Sequence, residues 1–237
     1  MEQATPALQM RTLFRMNRRG RIVGSNEPDG EHGPAFVIIR GLGQVAWAVH
    51  ADVPEDLARE LDALAGREPS LRRPEDEPVY AGRYRDLVGG TVYSGPSFYF
   101  HQVSRPGPQG LDEIATVTDE RVLQVHFSGW RTGEIALGRA PVRAVLRDGA
   151  AVSVAFSARW GSQAVEAGVD TAEAFRGQGL APRVVAAWAQ ATLALGRLPL
   201  YSTSWDNGAS RAVARKLDLR LYAAEWALSG RGTTVPS

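Results

Sequence analysis

The second half of the chain alternates short apolar runs with amphipathic segments. Apolar residues recur at helical spacing from Gly179 to Leu195, which predicts a helix. A second helix is predicted from an N-cap at Asn207 to about Leu217. The predicted strands are 142–146, 151–157, 164–169, 199–205 and 221–228. The order β-β-β-α-β-α-β indicates an α/β fold.

The first half predicts a further α/β region. Residues 35–50 have the pattern of a β-hairpin, and helices are predicted over 54–65 and 78–87, followed by a strand over 97–103. Pro and Gly cluster at 104–110, which predicts a domain boundary. The predicted divisions are a mobile tail (1–20), an N-terminal α/β region (21–105) and a C-terminal domain (111–230).

Composition removes several function classes. The chain is 44% hydrophobic with a net charge of +1, and it has no cysteine, so thiol nucleophiles and cysteine-ligated zinc are excluded. Its four histidines lack metal spacing, and we expect no metal. No apolar run spans a bilayer and no secretory leader is visible, so we expect a cytoplasmic protein without membrane contact.

Arginines near the start of the chain allow two interpretations of this segment. Arg11, Arg15, Arg18 and Arg19 would share one face if this segment were helical. A nucleic-acid contact is one interpretation. A solvated arm is the interpretation we prefer, because few aromatic residues are interleaved with the arginines.

The segment Arg176-Gly177-Gln178-Gly179-Leu180-Ala181 joins a predicted strand to a predicted helix. Glycines let the backbone approach a phosphate closely, and the first N–H groups of a helix have no internal partner. The helix dipole is also positive at this end. The sequence therefore predicts an anion cradle, to which Arg176 adds a charge-assisted donor.

This cradle and its context resemble the GNAT superfamily of acetyl-CoA-dependent N-acyltransferases. The motif Arg176-x-x-Gly179-x-Ala181 matches the main motif of that family, Arg/Gln-x-x-Gly-x-Gly/Ala. A second match runs from Tyr201 through Asn207-Gly208-Ala209-Ser210 into the following helix. The resemblance is carried by residues 141–228, within a domain of about 115–230. It implies a mixed, splayed β-sheet flanked by helices.

The resemblance also implies where acetyl-CoA binds. Backbone groups on the strand before the motif would hold the pantetheine arm, and the motif amides would hold the pyrophosphate. Asn207 and Ser210 match positions that border the coenzyme, although both could instead serve the helix start. The implied coenzyme-binding residues are Gly168, Val169, Thr171, Arg176, Gly177, Gln178, Gly179, Leu180, Ala181, Asn207 and Ser210.

The implied reaction is direct attack of an amine on the thioester in a ternary complex. Glu166 is the candidate base, because it lies on the strand beside the thioester among small residues, where burial would raise its pKa. Many family members have a tyrosine acid where this chain has Ala214, so Tyr201, Tyr222 or water would supply that proton.

Three functions stay open at this stage. The first is a catalytic N-acetyltransferase, which we prefer; the second is a coenzyme-binding sensor or regulatory module without catalysis; the third is an enzyme acting on a bound nucleic acid. The N-terminal region is interpreted either as a degenerate copy of the same fold or as an acceptor-binding domain. The expected acceptor is a small-molecule or peptide amine. We consider a homodimer possible.

Overall fold

A computed structural model describes residues 4–28, 30, 32–101 and 114–230. The chain divides into two compact units. The first contains the described residues up to Phe98, residues 202–208 and residues 221–230, and the second contains residues 99–101, 114–201 and 209–220. Both units are mixed α/β. No helix among these residues is long and apolar enough to cross a bilayer.

The first unit begins with a helix and a small hairpin, continues with a larger hairpin and two helices, and takes its last strand from the end of the chain. Its elements are α1 (Pro6–Leu13), β1 (Phe14–Met16), β2 (Ile22–Ser25), β3 (Phe36–Gly41), β4 (Gln44–Val49), α2 (Glu55–Ala65), α3 (Ala81–Val88), β5 (Thr91–Tyr99) and β11 (Arg220–Ser229).

The main strands of the first unit lie in the order β4-β3-β11-β5. Strand β3 is buried along its whole length and pairs antiparallel with both β4 and β11. Helices α2 and α3 cover one face with an aromatic cluster, in which the rings of Phe36 and Tyr84 lie 4.6 Å apart. The predicted hairpin over 35–50 and the predicted helix over 54–65 are both confirmed.

Residues 1–20 do not form the predicted mobile tail where the structure describes them. Helix α1 is capped by the Thr5 hydroxyl, which accepts the N–H of Leu8 at 3.2 Å. Leu8, Met10 and Leu13 are buried, and this apolar burial holds the segment against the unit. Because the helix ends at Leu13, the four arginines do not share one helical face.

The second unit contains five strands and two longer helices. Its elements are β6 (Ile114–Thr116), α4 (Arg121–Gln124), a π-helical turn (Ile135–Arg139), β7 (Arg143–Arg147), β8 (Ala150–Trp160), β9 (Ala164–Thr171), a 3₁₀ turn (Glu173–Phe175), α5 (Leu180–Ala194), β10 (Leu198–Ser202) and α6 (Gly208–Lys216).

The strands of the second unit lie in the order β10-β9-β8-β7-β6. Strands β9 and β10 are parallel, and the other three pairs are antiparallel, as the βαβ connection through α5 requires. The two faces of β9 have different neighbours. Ser157, opposite Ala167, accepts the indole N–H of Trp188 in α5, whereas Phe156 packs over Gly168 on the other face.

The division of the chain differs from the predicted one. Strand β11 was assigned to a domain over 111–230, but its residues from Leu221 onwards belong to the first unit, because six of its residues pair with β3. The proposed boundary at 104–110 lies outside the described residues. Strand β8 continues to Trp160, beyond the end predicted at residue 157.

Candidate functional site

Strand β9 is connected to helix α5 by a turn with two left-handed glycines. Gly177 has φ +77° and Gly179 has φ +74°, a region that side chains with a Cβ rarely adopt. Gly179 is the N-cap of α5, and Pro182 lies in the first turn, where its missing N–H costs no helical bond. The turn therefore leads directly into the first turn of the helix.

The backbone N–H groups in this turn are available to a ligand. Within the described residues, the amides of Gly177, Gln178, Gly179, Leu180 and Ala181 have no hydrogen-bond acceptor. A Cβ placed on Gly177 or Gly179 would meet no atom within 4 Å, so the space beside the turn is open. Five unpaired donors at the positive end of a 15-residue helix form an anion cradle.

Arg176 lies at the edge of this cradle. Its side chain is exposed, and its Nε donates to the carbonyl of Thr171 at 3.2 Å. Gln178 is also exposed, and its side-chain amide reaches the carbonyl of Ala174 at 3.5 Å. The guanidinium of Arg176 is thus anchored at one nitrogen beside the open amides, in a position to add a charge-assisted donor to a bound anion.

Strands β9 and β10 separate part-way along their length. Their pairing includes Leu198–Ala164, Pro199–Val165 and Leu200–Glu166, and no later pair joins them within the described residues. Strand β9 continues to Thr171, paired only with β8. This separation leaves one backbone edge of β9 open, as the predicted splayed sheet requires.

Gly168, Val169 and Thr171 lie in the part of β9 beyond its pairing with β10, where the sequence predicted coenzyme contacts, and the backbone of Val169 and Thr171 faces the open edge. Thr171 offers only its backbone, because its hydroxyl bonds the Ser153 hydroxyl at 2.9 Å. A Cβ on Gly168 would lie 2.5 Å from the Phe156 ring. Gly168 is therefore required by the packing of that ring, whatever ligand binds the edge.

Glu166 lies at the point where the strands separate. It is only 2% exposed, and its Oε1 accepts from the guanidinium of Arg159 at 3.1 Å. Arg159 is directly opposite on β8, after a register shift in the pairing between Ser157 and Arg159. The sequence identified the small neighbours of Glu166 but missed this ion pair, since register shifts are not visible in a single strand pattern.

Tyr201 connects strand β10 with helix α6. Its hydroxyl forms a hydrogen bond with the Ser210 hydroxyl. Burial raises the pKa of Tyr201; the Ser210 hydrogen bond opposes this shift and the nearby Glu166 carboxylate adds to it. Ala214, at the position where the resemblance implies a tyrosine, is buried on the same helix. Asn207 is exposed and directly precedes α6.

The arrangement of cradle and splay agrees with a family comparison. Residues 125–223, from the end of α4 into β11, match the family model for GNAT acetyltransferases. Residues 125–223 form a GNAT acetyltransferase domain. Among curated proteins, none matches the chain in sequence.

A solved structure supports this fold. A GCN5-related N-acetyltransferase from Kribbella flavida is 16% identical, with a TM-score of 0.52 over 96% of this chain and 93% of that protein. A GNAT-family protein from Novosphingobium aromaticivorans is 22% identical, with a TM-score of 0.48 over 60% of this chain and 66% of that protein. At such identities the likeness shows the GNAT fold alone. That the first unit is a second, degenerate copy stays a prediction.

The GNAT domain also contains a cavity that the sequence did not predict. Its volume is about 400 Å³. Its walls come from the segment between α4 and the π-helical turn and from the β8 and β9 face that carries Phe156. Its lining consists of residues 126–130 together with Glu134, Arg139, Phe156 and Asp170. Within the described residues, no cluster of three His, Asp or Glu side chains suits a metal.

Asp170 is a lining residue of this cavity whose pKa is shifted by its surroundings. The surrounding protein desolvates its carboxylate and raises the pKa of Asp170 above 3.8, although Arg176 and Arg139 partly oppose the shift. Its side chain stays accessible to solvent at the cavity rim. Within the described residues, no hydrogen bond or ion pair reaches this carboxylate.

We expect Asp170→Asn to stabilise the protein at neutral pH. Because the folded-state pKa is raised, the folded protein binds the Asp170 proton more tightly than the unfolded chain, so ionisation destabilises it as pH rises. The advantage of the variant should be full above the folded pKa and disappear below about 3.8. Melting temperatures across pH measure it. Asp86→Asn, on an exposed helix face, should show no such gain, and a less stable Asp170→Asn at neutral pH would contradict the prediction.

Proposed function

We propose that this chain is an N-acetyltransferase that moves an acetyl group from acetyl-CoA to an amine in a ternary complex. The observation that carries the proposal is the set of unpaired amides from Gly177 to Ala181 at the start of α5, beside the open edge of β9. Bound acetyl-CoA supplies the activated acetyl group as a thioester. The remaining steps use side chains and backbone groups of the chain.

In this proposal the cradle holds the pyrophosphate and β9 holds the pantetheine arm. Five N–H donors and the helix dipole match the charge of a diphosphate, and Arg176 adds a cation beside them. The backbone of Val169 faces the gap where β10 has separated, whereas that of Gly168 faces β8, so an extended arm with amide groups can bond at Val169 as a strand would. Asn207 and Ser210 would border the coenzyme.

Glu166 acts as the base in the proposed reaction. The amine must lose a proton before or as its nitrogen attacks, the new C–N bond forms and the C–S bond breaks. The carboxylate is buried at the separation point of β9 and β10, and Arg159 fixes its orientation at 3.1 Å. A proton transferred to Glu166 there would pass on to solvent after product release.

Tyr201 is the proposed proton donor to the departing thiolate. Its hydroxyl bonds Ser210, and its environment keeps it protonated because burial and Glu166 raise its pKa. Tyr222 is a poor alternative, since its buried hydroxyl donates to the side chain of Gln9 in the first unit. Water remains sufficient in principle, because a thiolate leaves readily near neutral pH.

A second candidate function is a coenzyme-binding module without catalysis. Two observations favour it: Ala214 offers no acid on α6, and the Glu166 carboxylate is already engaged by Arg159. Such a module would use the same cradle as a sensor of acyl-CoA. Both functions require binding of the acyl-CoA, but only the acetyltransferase turns it over.

The test combines a thermal shift with a turnover assay. Acetyl-CoA at 100 times its dissociation constant should add about 2.7 kcal/mol of stability. Thiol release is then followed over a panel of amines. Binding with turnover supports the enzyme, and binding without turnover on any amine supports the module. No thermal shift at saturating acetyl-CoA would overturn both.

A further inference from the structure

Two carboxylates lie on the same face of strand β9. Side chains alternate along a strand, so Glu166 and Asp170, which are four positions and about 13 Å apart, point to one side. Gly168 lies between them without a side chain, and the Phe156 ring covers it. The surface from one carboxylate to the other is therefore aromatic.

The carboxylate of Asp170 has no partner of its own. Arg139 and Arg176 affect it only through longer-range electrostatics within the described residues. Arg139 makes other contacts: its guanidinium lies 5.2 Å from the Phe156 ring centre and donates to the Ala158 carbonyl at 3.3 Å. A carboxylate without a partner in the lining of a cavity can pair with a cation from a ligand.

The cavity walls suit a cation attached to an apolar body. Trp130 and Phe156 meet edge to face with ring centres 5.0 Å apart, and aromatic surfaces attract both methylene groups and cations. Glu134 adds a second buried carboxylate, whose nearest cation is the exposed Arg131 at 3.5 Å. An acceptor that carried a carboxylate here would face the carboxylates of Asp170 and Glu134, with Arg139 as the arginine among the lining residues.

We propose that the cavity binds a second cationic group of the acceptor, so that the acceptor is a diamine or another amine with a remote cation. This inference rests on the proposed acetyl transfer. The remote cation pairs with Asp170, the apolar spacer crosses Phe156 beside Trp130, and the reacting nitrogen lies about 13 Å away along β9, towards Glu166. Monoamines lose the Asp170 contact.

The experiment compares linear diamines of increasing length with monoamines of the same length. In the wild-type protein, kcat/KM for the best diamine should exceed that of its matched monoamine about tenfold or more, the size expected of one hydrogen bond to a charged group. In Asp170→Asn this ratio should fall to near one. Asp86→Asn, which removes the same charge from α3, should keep the wild-type ratio.

Calorimetry with diamine alone separates this inference from the proposed function. Diamine binding that Asp170→Asn abolishes supports the cation site, even if no acetyl transfer is detected. Acetyl transfer that proceeds equally well with monoamines and diamines, and equally in Asp170→Asn, would overturn the inference while leaving the proposed function intact. Preferred turnover of carboxylate-bearing amines would also overturn it, and would point to Arg139.

Discussion

Gly179→Ala should lower the affinity for acetyl-CoA at least tenfold. The added Cβ lies at φ +74°, where it strains the backbone by about 1 kcal/mol or more, and relief of that strain would turn the neighbouring amides away from their shared target. A loss of one or two charge-assisted bonds corresponds to about 1.5–3 kcal/mol each. Titration calorimetry with acetyl-CoA measures the effect, and Gly177→Ala should behave similarly.

The same helix provides a matched control. Gly196 follows the other end of α5 with φ +73°, and a Cβ there would also meet no atom within 4 Å. Gly196→Ala should therefore lower the melting temperature as much as Gly179→Ala does, without changing coenzyme affinity. Equal affinity losses in both variants would show that the effect is global destabilisation and would remove the evidence for a cradle.

The elements of the second unit were largely readable because their patterns are long and regular. Helix α5 has 15 residues with a clear apolar period, and β8 and β9 are separated by turn residues, so the predicted positions agree with the observed ones within a few residues. The cradle could also be predicted from the sequence, for a different reason. It needs only a strand, two glycines and a helix start, all local in sequence.

Helix α1 was missed because its burial does not follow a helical period. Six of its eight residues are buried, including the polar Gln9 and Thr12, so no apolar stripe is visible against a polar face. The cavity was missed for a related reason. Its Trp130 to Arg139 wall follows a four-residue helix and contains a π-helical turn, and neither is long enough to produce a period.

The surroundings of Glu166 needed information that only pairing provides. Arg159 and Glu166 are seven residues apart, yet they are opposite each other only because the β8–β9 register shifts after Ser157. One residue of slip changes which cross-strand residue a side chain meets, so the ion pair does not follow from the strand pattern, whereas the shared face of Glu166 and Asp170 follows from alternation within β9. Local chemistry was therefore predictable, and cross-strand chemistry was not.

Glu166→Gln should lower kcat about 10²–10⁴-fold. A base that accepts the amine proton is lost, while the cradle is untouched, so the KM for acetyl-CoA should stay unchanged. Arg159→Gln is the matched comparison, because it breaks the same ion pair and leaves the carboxylate in place. Both variants break the same buried pair and should destabilise the fold by about 3–5 kcal/mol. Only Glu166→Gln removes the carboxylate. Thiol release per folded molecule, with folding checked by circular dichroism, measures kcat. Equal rates in the two variants would mean that Glu166 serves the ion pair alone and would favour the module without catalysis.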